Sequence, residues 1–184
     1  MAAAVRRTRV RRPQRGTSMI EVLVTLIVVA FALLGLTGFI ARTNAVAVES
    51  NQRARALALL DDMAERIRSR KSEAALFAAA GVAHGAQARD CAALTEVARD
   101  LCDWNNLLFG TNDAQTRVGA VQALRFRGCV TQPFVGQPVY VVTVAWASIA
   151  AGTPPADSCA LDAFGDDAHR RVVRTQVRIA NLTA

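Results

Sequence analysis

The stretch RGTSMIEVLVTLIVVAFALLGLTGFIAR, residues 15–42, places one acid, Glu21, at the head of twenty uncharged residues, Val22 to Ala41. As an α-helix twenty residues rise about 30 Å, the thickness of a bilayer's hydrocarbon core. The segment is long enough to span a membrane. Six arginines (Arg6, Arg7, Arg9, Arg11, Arg12 and Arg15) precede it with no acid among them. By the positive-inside rule they keep the N-terminus cytoplasmic and place everything after the segment beyond the inner membrane.

The same arginines explain the charge of the chain. Of 22 basic residues against 15 acidic ones, six lie in this leader, and taking them from the formal +7 leaves +1. A basic balance that would point to nucleic acid or an anionic surface therefore belongs to the leader. Four cysteines, Cys91, Cys102, Cys129 and Cys159, stand far apart, with no C-x-x-C and no histidine at ligand spacing. Zinc knuckles bring their ligands in close pairs, so no metal is expected. An even number beyond a membrane segment fits disulfides in an oxidising compartment, with three connectivities open. Four reduced core cysteines are the alternative.

Three readings compete for the apolar segment. A cleaved secretory signal finds an A-x-A-like site at Ala45-Val46-Ala47, and the Arg6-Arg7 and Arg11-Arg12 pairs hint at a twin-arginine variant. Its apolar core is twenty residues, however, where signal peptides use roughly 7–15. A plain signal anchor accounts for the length and the arginines. It leaves Glu21 unexplained, since a carboxylate facing lipid costs on the order of 2.5–3.5 kcal/mol at the centre of a span and less near its ends.

The third reading accounts for Gly16 and Glu21 together. Arginines, then Gly16, then Glu21 five positions later at the head of an apolar helix resemble the class III signal of type IV pilins and pseudopilins. The resemblance implies that a prepilin peptidase cuts after Gly16, leaving Thr17 as the methylated first residue. Thr17 stands where the family usually has phenylalanine. It further implies that Glu21 offers its carboxylate to the N-terminal amine of a neighbouring subunit and so sets the register of packed helices.

Beyond Ala41, residues 43–71 contain neither Gly nor Pro. Leu57, Leu60, Ala64 and Ile67, with Met63 beside them, mark one apolar stripe, and Asp62–Arg66 and Glu65–Arg68 support a solvated face. One helix of about 55 residues is expected, apolar all round in its first half and amphipathic in its second. Gly35 and Gly38 are its weak points. Residues 78–90, AAAGVAHGAQARD, read as a flexible connection, and a second helix is expected from about Ala92 to Leu108, stopped at Gly110. Alternation predicts strands over Ala120–Val130, Pro138–Ser148 and Arg170–Ala180, joined by loops rich in Gly, Pro and Asp.

The fold class expected is α+β: a long N-terminal helix on a small antiparallel sheet, with one further short helix. This layout resembles the pilin fold. RARALALLDDMAERIRSRK, residues 53–71, and Asp100-Leu101-Cys102-Asp103-Trp104 are similar to the type IV pilus modification group, the PilV-like minor pilins. The domain plan is a leader, 1–16, removed on processing, then a helix over 17–72 that is transmembrane at about 20–41. The globular part follows over 73–184, with the amphipathic half of the helix in its core. The resemblance implies prepilin peptidase, other minor pilins and the major pilin as partners, and the pilus fibre as destination. A pseudopilin of type II secretion shares the signal and stays open.

A catalytic arrangement would need a histidine held beside a nucleophile by a third group, and His84 in the flexible connection and His169 in an acidic loop read as surface residues instead. With no phosphate-cradling loop and no dinucleotide fingerprint, neither an enzyme nor a cofactor or small-molecule site is expected. Arg125, Arg127, Arg170, Arg174 and Arg178 alternate onto one expected sheet face. A solvated outer face that guards a strand edge is one reading of them. A contact face for DNA, an acidic subunit or surface polysaccharide is the other.

Overall fold

The computed structural model describes residues 16, 18–78, 83–110 and 126–180. Helix α1 spans Met19–Ser69, a single 3-10 turn follows at Lys71–Glu73, and short helices α2 (Ala74–Ala78) and α3 (Glu96–Phe109) come next. Strands β1 (Phe126–Thr131), β2 (Val139–Ala147) and β3 (Arg170–Arg178) follow among the described residues, with a 3-10 turn at Asp167–His169 before β3. The fold is α+β, a long N-terminal helix on a three-stranded antiparallel sheet ordered β1-β2-β3. Among the described residues two short helices, α2 and α3, stand where one was expected. The chain divides into two compact units, residues 1–44 and 45–184.

In the first unit, every described residue from Ser18 onward is exposed. Helix α1 runs through Gly35 and Gly38, beside which an added Cβ would meet nothing. Its threonines leave no hydroxyl stranded among apolar neighbours. Thr25, Thr37 and Thr43 donate to the carbonyls of Val22, Leu34 and Ile40, at 2.9, 2.8 and 2.9 Å. A helix that bonds its own backbone and its own hydroxyls internally meets the central requirement for residing in hydrocarbon.

In the second unit, α1 contributes Ala56, Leu60, Met63, Ala64 and Ile67 to the core. The steps of four, three, one and three keep these residues on one side of a 3.6-residue helix. Leu57, expected in the stripe, is 43% exposed, one position out of phase. Across from the stripe lie Phe77 of α2, Val97, Trp104 and Leu108 of α3, and one sheet face formed by Phe126, Val130, Tyr140, Val142, Val144, Trp146 and Val177. The Trp104 indole N–H donates to the Leu59 carbonyl at 2.8 Å, which ties α3 to α1. Gly128 makes room for that indole, since a Cβ there would lie 2.1 Å from Trp104 Cη2. The expected ion pairs form, Arg66–Asp62 at 2.8 Å and Arg68–Glu65 at 3.3 Å. Arg66 also reaches Asp100 of α3 at 3.2 Å, and Arg70 contacts the other oxygen of the same carboxylate.

Helix α3 begins four residues later than its apolar pattern suggests. The Asp90 carboxylate accepts from Ala92 N at 2.9 Å, and Leu94 N donates to Cys91 O at 3.2 Å. Those local bonds hold residues 90–94 in turns, the usual competition of Asp with helix. The far end stops at Gly110 as expected. That residue takes φ +89° and donates to the carbonyls of Asn106 and Leu107, a left-handed cap that glycine fills without strain. Strand β1 is described from Phe126; the expected strand residues Ala120 to Arg125 lie outside the described residues.

Candidate functional site

The head of α1 comes first. Glu21 lies in the first helical turn, exposed, with its backbone N–H bonded to Ser18 O at 2.9 Å. A carboxylate there suits the positive end of the helix dipole. Gly16 is exposed with open space around it; Thr17 lies outside the described residues. From Met19, an apolar stretch long enough to cross a bilayer follows in the same helix. Gly16 and Glu21 therefore flank the start of an exposed, membrane-length helix.

The disulfides form between sequence neighbours, Cys91–Cys102 and Cys129–Cys159, and no cysteine is left free. Each staples a segment of little regular structure to a regular element. Cys91–Cys102 ties the segment before α3 onto that helix. Two asparagines extend the same attachment. Asn105 accepts from Gly85 N and donates to Gln87 O, both at 2.8 Å, and Asn106 pairs with the backbone of Arg89 through two bonds of 2.8 Å. Cys129–Cys159 ties the long β2–β3 connection across the outer face of the sheet. There Cys159 and Ala160 pack on Ala145, with Phe164 and Val172 beside them.

That covered face changes the reading of the arginines. The strand register does bring Arg127, Arg170, Arg174 and Arg178 to one side of the sheet. Arg125 lies outside the described residues. Arg127 and Arg170, however, are 8% and 1% exposed, and they point into the protein's own backbone. Arg170 donates to the carbonyls of Pro155, Asp157 and Cys159 and pairs with Asp167 at 2.8 Å. Arg127 donates to Gly85 O and Phe126 O and lies over the Phe164 ring. The hydrogen bond from Arg170 holds the Asp167 carboxyl below the usual carboxylate range. Neither arginine offers a contact face, because five fixed guanidinium donors make good anchors for a loop rich in carbonyls. Arg174 and Arg178 remain exposed.

His84, expected at the surface, is buried. It is 4% exposed, and its backbone bridges Gly128 on the outer side of β1 through bonds of 2.7 and 3.1 Å. Its ring lies 5.7 Å from the Trp104 ring. Burial, with the Arg89 charge nearby, lowers its pKa to about 4. The small residues around it suggested a flexible linker. At Gly85, however, sheet and helix come close: it takes φ +93° and has no room for a Cβ against Phe126 and Leu108. His169 is half-buried, with Nδ1 3.0 Å from Ser148 O.

A cleft of about 710 Å³ opens between residues 45–53 of α1 and the sheet, lined by Val46, Glu49, Trp146, Ile149, Val172 and Val173 among others. The Glu49 carboxylate accepts from the Ser148 hydroxyl at 2.7 Å across it. Neither residue stood out in the sequence, since their pairing depends on a contact 99 positions apart. The chain matches no protein-family model, no curated protein and no solved structure.

Proposed function

We propose that this chain is a type IV minor pilin. Prepilin peptidase processes it after Gly16, α1 holds it in the inner membrane, and it is then built into a pilus alongside other minor pilins and the major pilin. The observation that carries the reading is α1 itself. One unbroken helix holds an exposed apolar half that starts at Glu21 and an amphipathic half that forms the core of a disulfide-stapled α+β domain. A helix apolar on every side needs lipid or protein on every side. A subunit that passes from membrane to fibre meets both in turn. Inside a dry bundle, Glu21 is stabilised only beside a positive partner, and the freed amine of a neighbouring subunit supplies one.

Burial of Arg127 and Arg170 weighs against the basic sheet face as a broad adhesive or DNA-contacting surface. The pseudopilin reading shares every feature of α1 and differs in the machinery that receives the subunit. The test is Glu21→Ala in cells that assemble fibres. Membrane retention stays as in the parent, while the variant is depleted from sheared fibres at least several-fold. Equal incorporation of variant and parent removes the register role.

A further inference from the structure

The two edges of the sheet are treated differently. The bonds Ser148 N–His169 O and Ile179 N–Pro138 O set the parity of the β2–β3 ladder: Arg171, Val173, Thr175 and Val177 direct their backbone groups at β2. Val172, Arg174 and Gln176 therefore direct theirs outward, and among the described residues nothing pairs with them. On the opposite edge, His84 takes both outward groups of Gly128, and Arg127 binds the adjoining Gly85 carbonyl. At Gly128 one edge is capped by the chain itself, whereas along Val172 to Gln176 the other is open among the described residues.

Two further features lie along the open edge. Arg174 and Arg178 are exposed on the outer face, four residues apart, and no acidic side chain among the described residues pairs with either. On the inner face the cleft of about 710 Å³ is bounded by Val173 on the sheet side and by Ala45 and Val46 on the helix side. Pairing of this edge with a second copy about a two-fold axis would set arginines against arginines, which like-charge repulsion disfavours.

We propose that the free edge of β3 receives an extended segment of a partner protein as a fourth, antiparallel strand. That segment carries acids at two positions four apart and an apolar residue next to the second. Strand addition draws its affinity from main-chain bonds and its selectivity from alternate side chains. Residues directly opposite share a face, so acids opposite Arg178 and Arg174 lie on the outer side. The residue opposite Val173 then enters the cleft. The inference is independent of the pilin reading, because it uses only residues 45–184.

The test uses the full chain in detergent micelles and the peptide acetyl-Thr-Glu-Val-Thr-Val-Glu-Val-Thr-amide. The expected result is binding that protects the Val172, Arg174 and Gln176 amides from hydrogen exchange. N-methylation of the fourth and sixth peptide residues abolishes it, and lysine in place of both glutamates weakens it about tenfold. Gln176→Pro removes an outward N–H while sparing the β2 ladder, and it abolishes binding. Should that variant fail to fold, Arg174→Glu with Arg178→Glu, both at exposed positions, reverses the preference between the two peptides. Equal binding of the two peptides overturns the proposal. So does protection of those amides before any peptide is added, whether from residues 111–125 of this chain or from a second copy.

Discussion

The two halves of α1 share one backbone and face opposite demands. From Met19 to Val48 no side chain is buried; from Gln52 to Ile67 six are. The first half shows no polar face at all, and the second follows a 3.6-residue period. Such a contrast teaches what stabilises each half. Packing against α2, α3 and the sheet holds the second. In the first, stability rests on the backbone's own bonds and on whatever apolar medium surrounds it.

The sharpest way to break this comparison is to make the same change in both halves. Leu60→Ala removes a side chain that is 3% exposed in the core, and it should cost about 2–5 kcal/mol of domain stability in urea unfolding. Leu26→Ala, at a position 61% exposed, should leave the same transition within about 0.5 kcal/mol. Conversely, Val28→Asp should leave domain unfolding unchanged while releasing chain from the membrane fraction. If Leu26→Ala destabilises the domain as much as Leu60→Ala, the halves are not energetically separate.

Acid should destabilise the unit of residues 45–184 through His84. Its pKa is lowered from 6.5 to about 4. Between those values the unfolded chain binds a proton that the folded chain refuses, so stability is full above pH 6.5 and falls as the pH drops toward 4. The loss attributable to this one residue is about 3 kcal/mol. Unfolding free energies at pH 7 and pH 4.5, compared between the parent and His84→Gln, measure it. A parallel pH dependence in both proteins would assign the acid sensitivity elsewhere. A smaller loss than those at Leu60 and His84 belongs to Asp100, which joins α3 to Arg66 and Arg70 near the end of α1. These groups are partly solvated, so Asp100→Ala should cost about 1 kcal/mol and less at high salt.

Features written in local pattern were legible in the sequence. The apolar span, the helix stop at Gly110, the strands around Tyr140–Trp146 and Val173–Val177 and the ion pairs of α1 all follow from spacing within a few residues. Features that depend on distant contacts were not. Arg127 and Arg170 sit at alternating outer positions of strands, where charge ordinarily meets water. They are buried because Cys129–Cys159 fixes a loop over them. His84 sat in a run of small residues that resembles a linker. Its signal was the pair of glycines, Gly85 and Gly128, whose missing side chains admit the backbone bridge and the Trp104 ring. Leu57 shows a milder failure: stripe phase cannot be fixed by apolarity when alanines occupy the true seam.

On the proposed processing after Gly16, the apolar half of α1 stays in the working protein and the arginines before it do not. N-terminal sequencing of the mature chain, purified from cells with an active prepilin peptidase, tests this most directly. The account predicts a first residue of Thr17, with Glu21 fifth. A chain that begins at Val48 would contradict it, because the apolar half would then be a discarded signal.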